Sequence, residues 1–222
     1  MLKKSMTLIT AAAAILSSGS VLAEASVNAA ATTNYLWRGV TQSTDTASVA
    51  GGVDWSDASG VYVGLWSGSL VGGTETDVYA GFAGEAGALG YDIGVITYQY
   101  SQFPDVNFTE AYLNLSFSDL TVGIASTVDA AIGNENSAFD KGDMYVSVSY
   151  GFKAGAFDAS VFGGSYMFEH DNAFGNGDLD YSHYGVSFTS GEVTVALEKN
   201  DIEGSNDDNV RVVATWSKSW DI

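Results

Sequence analysis

Ala47-Ser48-Val49-Ala50-Gly51-Gly52-Val53-Asp54-Trp55-Ser56 is the stretch on which the reading of the fold turns. Taken in steps of two, Ala47, Val49, Gly51, Val53 and Trp55 fall on one face, and Ser48, Ala50, Gly52, Asp54 and Ser56 on the other. Successive side chains of a strand point to opposite sides, so this pattern describes a strand with one apolar and one polar face. Glu110 to Ser118 repeats it, with Ala111, Leu113, Leu115 and Phe117 opposing Glu110, Tyr112, Asn114 and Ser116. In Asp143 to Gly151, Met144, Val146, Val148 and Tyr150 oppose Tyr145, Ser147 and Ser149.

Working outward, the alternation yields twelve candidate strands, with ten as the alternative count: 27–41, 47–56, 60–71, 75–85, 89–100, 107–117, 120–128, 143–152, 157–168, 180–189, 192–200 and 209–220. The connections alternate in kind. Residues 42–46, 72–74, 101–106, 129–142, 169–179 and 201–208 are mostly long and polar, and 57–59, 86–88, 118–119, 153–156 and 190–191 mostly short. An all-β, antiparallel up-and-down transmembrane barrel has this rhythm, with long extracellular loops and short periplasmic turns. An even strand count places both ends of the barrel in the periplasm.

The N-terminus agrees. Lys3 and Lys4 precede an apolar, alanine-rich run from Met6 to Leu16, and Val21-Leu22-Ala23 follows. These are the parts of a secretory signal peptide, residues 1–23, with cleavage expected after Ala23 and a single barrel domain from 24 to 222. The run falls short of the ~18 apolar residues a spanning helix needs. Charged residues or glycines interrupt every later apolar run, which leaves a closed barrel as the spanning structure.

Composition adds an exclusion. The chain has 26 glycines and 28 Tyr, Phe and Trp residues, but one proline and no cysteine. Without Lys3 and Lys4, 6 basic residues face 27 acidic ones, a net charge of −21. That balance argues against nucleic acid as a partner, since phosphates call for a basic surface. It suits either acidic, soluble loops or a pore that favours cations.

On these registers Trp55, Tyr91, Phe117, Tyr150, Phe157, Phe188 and Trp220 face outward at the periplasmic end. Aromatic rings at one depth form a girdle at the headgroup boundary. Tyr35 and Trp37 are expected to face out near the other end.

The stretch Asn34-Tyr35-Leu36-Trp37-Arg38-Gly39-Val40-Thr41-Gln42-Ser43 resembles the opening strand of the TorF-type outer-membrane porin family. Gly51-Gly52-Val53-Asp54-Trp55, Gly60-Val61-Tyr62-Val63-Gly64-Leu65-Trp66-Ser67, Tyr91-Asp92-Ile93-Gly94, Glu110-Ala111-Tyr112, and Asp180-Tyr181 with Gly185-Val186-Ser187 extend the likeness. The resemblance implies an outer-membrane barrel, a porin role, and assembly by the outer-membrane assembly machinery. Such barrels usually end on an aromatic residue, whereas this chain ends Trp220-Asp221-Ile222. Counting back from Ile222 still places Trp220, Trp216, Ala214 and Val212 on one face, with Lys218 as an exception able to snorkel toward the headgroups.

No enzyme motif stands out: there is no nucleophile elbow, no zinc-binding His-Glu-x-x-His, no phosphate loop and no cysteine. His183 points into the lumen, which does not suit a lipid-face hydrolase, and His170-Asp171 reads as a solvated loop. No cofactor is expected. Asp178 and Asp180, or Asn206, Asp207, Asp208 and Asn209, are oxygen-rich loop clusters open to a calcium reading, although their spacing matches no EF-hand.

The inward-facing charges are the candidate site: Arg38, Arg211, Glu110, Glu198, Asp77, Asp54, Asp92 and Asp158. Arg38 and Arg211 are expected on neighbouring strands near the extracellular end, with Glu198 and Glu110 as the carboxylates that relieve their repulsion. Asp54, Asp92 and Asp158 lie near the periplasmic end with no inward basic partner in this register. Two readings stand open. The charges pack a narrow barrel as a hydrogen-bonded network, or they form a constriction with a transverse field. The corresponding functions are a passive channel for ions or small solutes that prefers cations, and a plugged structural or adhesive barrel with acidic loops. A barrel hydrolase is a weaker third. Membrane lipid is the partner in each case, and the oligomeric state is not legible.

Overall fold

A computed structural model describes residues 24–133, 138–170, 179–202 and 208–222. The expected signal peptide, 1–23, lies outside the described residues, as do Asp171, Asp178, Asn206 and Asp207.

The strands are β1 (Glu24–Thr32), β2 (Leu36–Trp37), β3 (Val40–Thr41), β4 (Ser48–Ser56), β5 (Val61–Leu70), β6 (Gly73–Ala86), β7 (Leu89–Tyr100), β8 (Phe108–Phe117), β9 (Leu120–Ala130), β10 (Met144–Ala154), β11 (Phe157–Met167), β12 (Tyr181–Ser190), β13 (Val193–Asn200) and β14 (Arg211–Asp221). All but β2 and β3 form one closed antiparallel barrel in which β1 pairs with both β4 and β14. Closure leaves no strand edge unpaired, which is what a chain crossing lipid requires. No helix among the described residues is long and apolar enough to cross a membrane, which says nothing of a barrel, whose strands would do the crossing.

One end of the barrel carries short turns, at 57–60, 87–88, 118–119, 155–156 and 191–192, together with Glu24 and Asp221. The other carries the longer connections, apart from the two residues Val71 and Gly72 between β5 and β6. That connection was expected at 72–74 among the longer ones; β6 instead begins at Gly73, opposite Leu70.

The outside is apolar. Val49, Val63, Leu65, Ile93, Val95, Val122, Ile124, Val148, Val161 and Val212 are all exposed, so a belt of aliphatic side chains runs around the barrel. A soluble protein seldom exposes more than a few hundred Å² of contiguous apolar surface, so a continuous belt marks a lipid-facing wall. At the turn end Trp55, Phe117, Tyr150, Phe157 and Trp220 are exposed on it, joined by Phe82, which stacks on Tyr91 at 5.9 Å. Lys218 lies among them, its ammonium 2.6 Å from Glu192 in the last turn and 5.8 Å from the Trp220 ring. The basic head thus sits beside turn residues rather than in the apolar belt.

The largest departure from the sequence reading concerns the first strand. It was expected to run from 27 to 41, but β1 ends at Thr32 and the chain turns into the barrel. Residues 33–47 re-enter the lumen from the loop end, and β2 and β3 form a small hairpin there. Tyr35 and Trp37, expected to face lipid, are 8% and 7% exposed in the interior core. The reason is local. Leu36 pairs with Thr41 and Trp37 with Val40, leaving Arg38 and Gly39 as a two-residue turn. Both have positive φ, 49° and 82°. A two-residue hairpin with φ above zero at both turn positions reverses the chain with the twist its strands need.

Candidate functional site

The hairpin fills the loop-end half of the lumen. Its base is fastened by short-range bonds: Gln42 N–H donates to the Tyr35 carbonyl at 2.7 Å, Tyr35 N–H to Ser43 Oγ at 2.9 Å, and Thr41 Oγ1 to Asn34 Oδ1 at 2.6 Å. Trp37 then inserts among rings, with Tyr98, Phe108, Phe139 and Tyr166 all 5.7–6.0 Å away and mostly edge-on.

Arg38 at the tip carries the strongest contact. Its two terminal nitrogens donate to the two oxygens of Glu110 on β8, at 2.8 and 2.6 Å. The guanidinium also stacks over Tyr145 at 4.0 Å and near Trp37 at 4.4 Å. Both charged side chains are buried, 8% and 1% exposed. A planar fork meeting a carboxylate bidentately is the geometry in which arginine is hardest to replace.

Gly39 is squeezed against β12. A Cβ there would lie 2.5 Å from the Cβ of His183, and the positive φ independently favours glycine. Asn200 Nδ2 donates to the Gly39 carbonyl at 2.9 Å. His183 itself lies between Tyr145 and Glu198, 2.7 Å from each through its two ring nitrogens.

Arg38 and Arg211 therefore do not sit side by side on adjacent barrel strands, because Arg38 belongs to the hairpin. Nor does Glu198 bridge them: its bond is to His183, although it faces Arg211 in the β13–β14 register. Arg211 Nε donates to Asp45 Oδ1 at 2.6 Å, latching the return arm of the hairpin segment to β14. That bond holds the Asp45 carboxyl below the usual carboxylate range. Beside β10, Asp143 accepts backbone N–H bonds from Asp140 and Glu169, both 2.8 Å, while burial pushes its carboxyl up.

On β6, Glu75 and Asp77 point inward two residues apart, and both are 0% exposed. Tyr35 donates its hydroxyl to Glu75 Oε1 at 2.8 Å, a fourth tie between hairpin segment and wall. Both oxygens of Asp77 lack a hydrogen-bond partner.

The turn-end half is different. Asp54 accepts from Asn28 at 2.9 Å and from the Tyr79 hydroxyl, and Asp92 from Tyr62 and, at 3.4 Å, from Asn114. Asn28, Asp54, Asp92 and Asn114 are half-buried, whereas Tyr62 and Tyr79 are buried, and the Tyr62 hydroxyl also meets that of Tyr112. Asp158 was expected to lack a basic partner, but Lys153 pairs with it across the 155–156 turn. Glu75, Asp45, Asn200 and the His183–Tyr145 contact were not singled out from the sequence. Inward register was the available signal for Glu75 and Asn200, while Asp45 read simply as a loop residue.

Of the other candidates, the exposed His170 places Nε2 3.0 Å from the largely covered Asp140. Asp180 Oδ1 accepts the Phe168 N–H at 2.7 Å, which closes that loop. Among the described residues no group of three or more His, Cys, Asp or Glu side chains is arranged to hold a metal ion.

Solved structures share the fold. One reported under "Unveiling the Mechanism Behind the in-meso Crystallization of Membrane Proteins" matches with a TM-score of 0.61 and 9% identity, over 89% of this chain and 83% of that one. The KdgM porin matches at 0.53 and 9% identity, over 88% of this chain and 98% of that one. The NanC porin follows at 0.49 and 14% identity, over 87% and 97%. At such identities the likeness is one of fold alone, a closed antiparallel barrel. No curated protein matches the sequence. The family described as "Bacterial protein of unknown function (Gcw_chp)" has a model that matches residues 17–215, and the chain belongs to that family.

Proposed function

We propose that the protein is an outer-membrane channel for passive diffusion of ions or small solutes, with a preference for cations. In this reading residues 1–23 direct export and are removed, the turn end faces the periplasm, and the acidic loops face outward. The outer-membrane assembly machinery inserts the barrel, and membrane lipid surrounds it. The likeness of residues 34–43 to the TorF-type porins supports the same role. One observation carries the cation preference. Asp54 and Asp92, both half-buried, face the turn-end lumen and are held by Asn28, Asn114 and the buried Tyr79 and Tyr62 rather than by any basic side chain. A passage walled by uncompensated carboxylates attracts cations and repels anions.

The test is reconstitution of the refolded protein in a planar bilayer under a KCl gradient. A step conductance with a reversal potential toward the potassium value supports the channel. A reversal potential at the chloride side would sink the cation preference. A second reading is favoured by the inward hairpin: a plugged structural barrel, in which Tyr35, Trp37 and Arg38 close the lumen permanently. It predicts no step conductance at any salt concentration, in the native protein or in variants that loosen the hairpin.

A further inference from the structure

We propose that Glu75 and Asp77 form a binding site for a divalent cation of the calcium type inside the lumen. Both carboxylates are fully buried on the inner face of β6; the Tyr35 and Tyr100 hydroxyls approach Glu75, and Asp77 Oδ1 and Oδ2 receive no donor from the protein. A buried charge needs a compensating partner, and here the ordinary ones are committed elsewhere. The one guanidinium in the hairpin is taken up bidentately by Glu110, which leaves that pair neutral. Arg211, Lys141, Lys153 and Lys218 bind Asp45, Asp129, Asp158 and Glu192. Lys199 lies opposite Tyr184, which faces outward and is exposed. The two carboxyl groups thus face the interior with no basic side chain beside them, and neither oxygen of Asp77 is bonded.

Hard oxygen donors without nitrogen or sulfur select an alkaline-earth ion, and calcium tolerates the irregular geometry a strand offers. The phenol of Tyr35 already bonds Glu75 Oε1, so an ion held by this pair also fixes the hairpin to the wall. The inference deepens the cation reading of the lumen and rests on it only in that an ion must be able to reach the site. Binding is read without any current, so a barrel that conducts nothing could still bind, and a conducting barrel could fail to.

Equilibrium dialysis of the refolded, chelator-treated barrel with calcium chloride is the experiment, with magnesium, sodium and potassium chlorides as the other arms. The acidic loops bind calcium diffusely, so the quantity read is the difference from Asp77→Asn. Heat-modifiable gel mobility verifies that each variant barrel is folded, and Glu75→Gln serves if Asp77→Asn does not fold. The expected result is one calcium fewer per chain in Asp77→Asn, or an affinity lower by roughly 10–100-fold or more, since even indirect supports of a metal ligand are worth that much. Identical stoichiometry and affinity in wild type and both variants would overturn the proposal. So would equal occupancy by sodium or potassium at the same concentrations.

Discussion

Replacing Arg38 with Met removes the charge while keeping most of the side-chain length, and it tests whether the hairpin is a plug held by one ion pair. Two losses add up on paper. Removing one partner of a buried pair costs about 3–5 kcal/mol, mostly because the other charge stays behind unpaired. Here that charge is Glu110, 1% exposed and already shared only with Tyr98 at 3.2 Å. Stacking of the guanidinium over Tyr145 and Trp37 contributes ~1–2 kcal/mol more, though the terms overlap and are not additive. The wall strands are held by their own ladders, so the loss falls on docking of the hairpin rather than on the barrel. A shift of about 3–5 kcal/mol changes the docked-to-undocked ratio by roughly 10²- to 10⁴-fold. In planar bilayers Arg38→Met is expected to show larger or longer-lived conductance steps than the native protein, at unchanged heat-modifiable mobility on gels. Adding Glu110→Gln should restore part of the native behaviour, because removing both charges leaves no buried orphan. Native conductance in Arg38→Met would refute the argument, and equal opening in single and double variants would show that the ion pair is not what holds the hairpin.

Gly39→Ala should loosen the same element, since the new methyl meets His183 Cβ at 2.5 Å and the φ of 82° is strained for alanine; the cost is at least about 1 kcal/mol, read as increased protease sensitivity of residues 33–47 in the folded barrel. The Asp45–Arg211 latch gives a pH dependence. The folded-state carboxyl is held low, so the stabilisation is present above its unfolded value and is lost as pH falls through the lower folded value. Asp45 is more than half exposed, so the effect is small, and it is measured as an opening step on acidification below about pH 4 that Asp45→Asn lacks. Neutralising the turn-end lumen with Asp54→Asn and Asp92→Asn should move the reversal potential toward zero under a KCl gradient; an unchanged value removes both residues from the selectivity argument.

Much of the architecture was readable because a strand's period is two and lipid tolerates no unpaired edge. Alternation in Ala47–Ser56 and Glu110–Ser118 located β4 and β8 to within a residue or two, and the outward aromatics at the turn end followed from the same registers. Alternation also explains the error at residues 33–41. It assigns side chains to two faces but does not say which face meets lipid. Tyr35 and Trp37 are as credible on a membrane wall as in an aromatic core; they lie inside because the chain leaves the wall after Thr32 and then reverses at Arg38-Gly39. That turn was poorly signalled, because a lone glycine after arginine lacks the Asn-Gly or Asp-Gly pairing that marks two-residue hairpins. Length was the better clue. A strand from 27 to 41 exceeds the ~9–11 residues a tilted strand needs to cross.

The site divides along the same physical line, between contacts set by neighbouring strands and contacts set by closure. Lys153 and Asp158 face each other across a two-residue turn, so their pairing follows from register alone. Strand bounds of 152 and 157 leave Lys153 in a connection, whereas the ladder continues to Ala154 and Phe157. Arg38 and Glu110 are 72 residues apart, and no ladder relates them. Their meeting depends on how far the hairpin reaches down a barrel whose width is set by all twelve wall strands. The sequence supplied Glu110 as a candidate for Arg38 through charge and inward face, which narrows the choice without selecting it. Glu75 and Asp77 had the same inward face and the same sign. Which acid receives the guanidinium, and which pair is left without a cation, is decided by the Arg38 side chain reaching across to β8 rather than β6. Recognising the re-entrant hairpin first would place Arg38 inside the lumen, and the choice among its inward carboxylates then rests on barrel width.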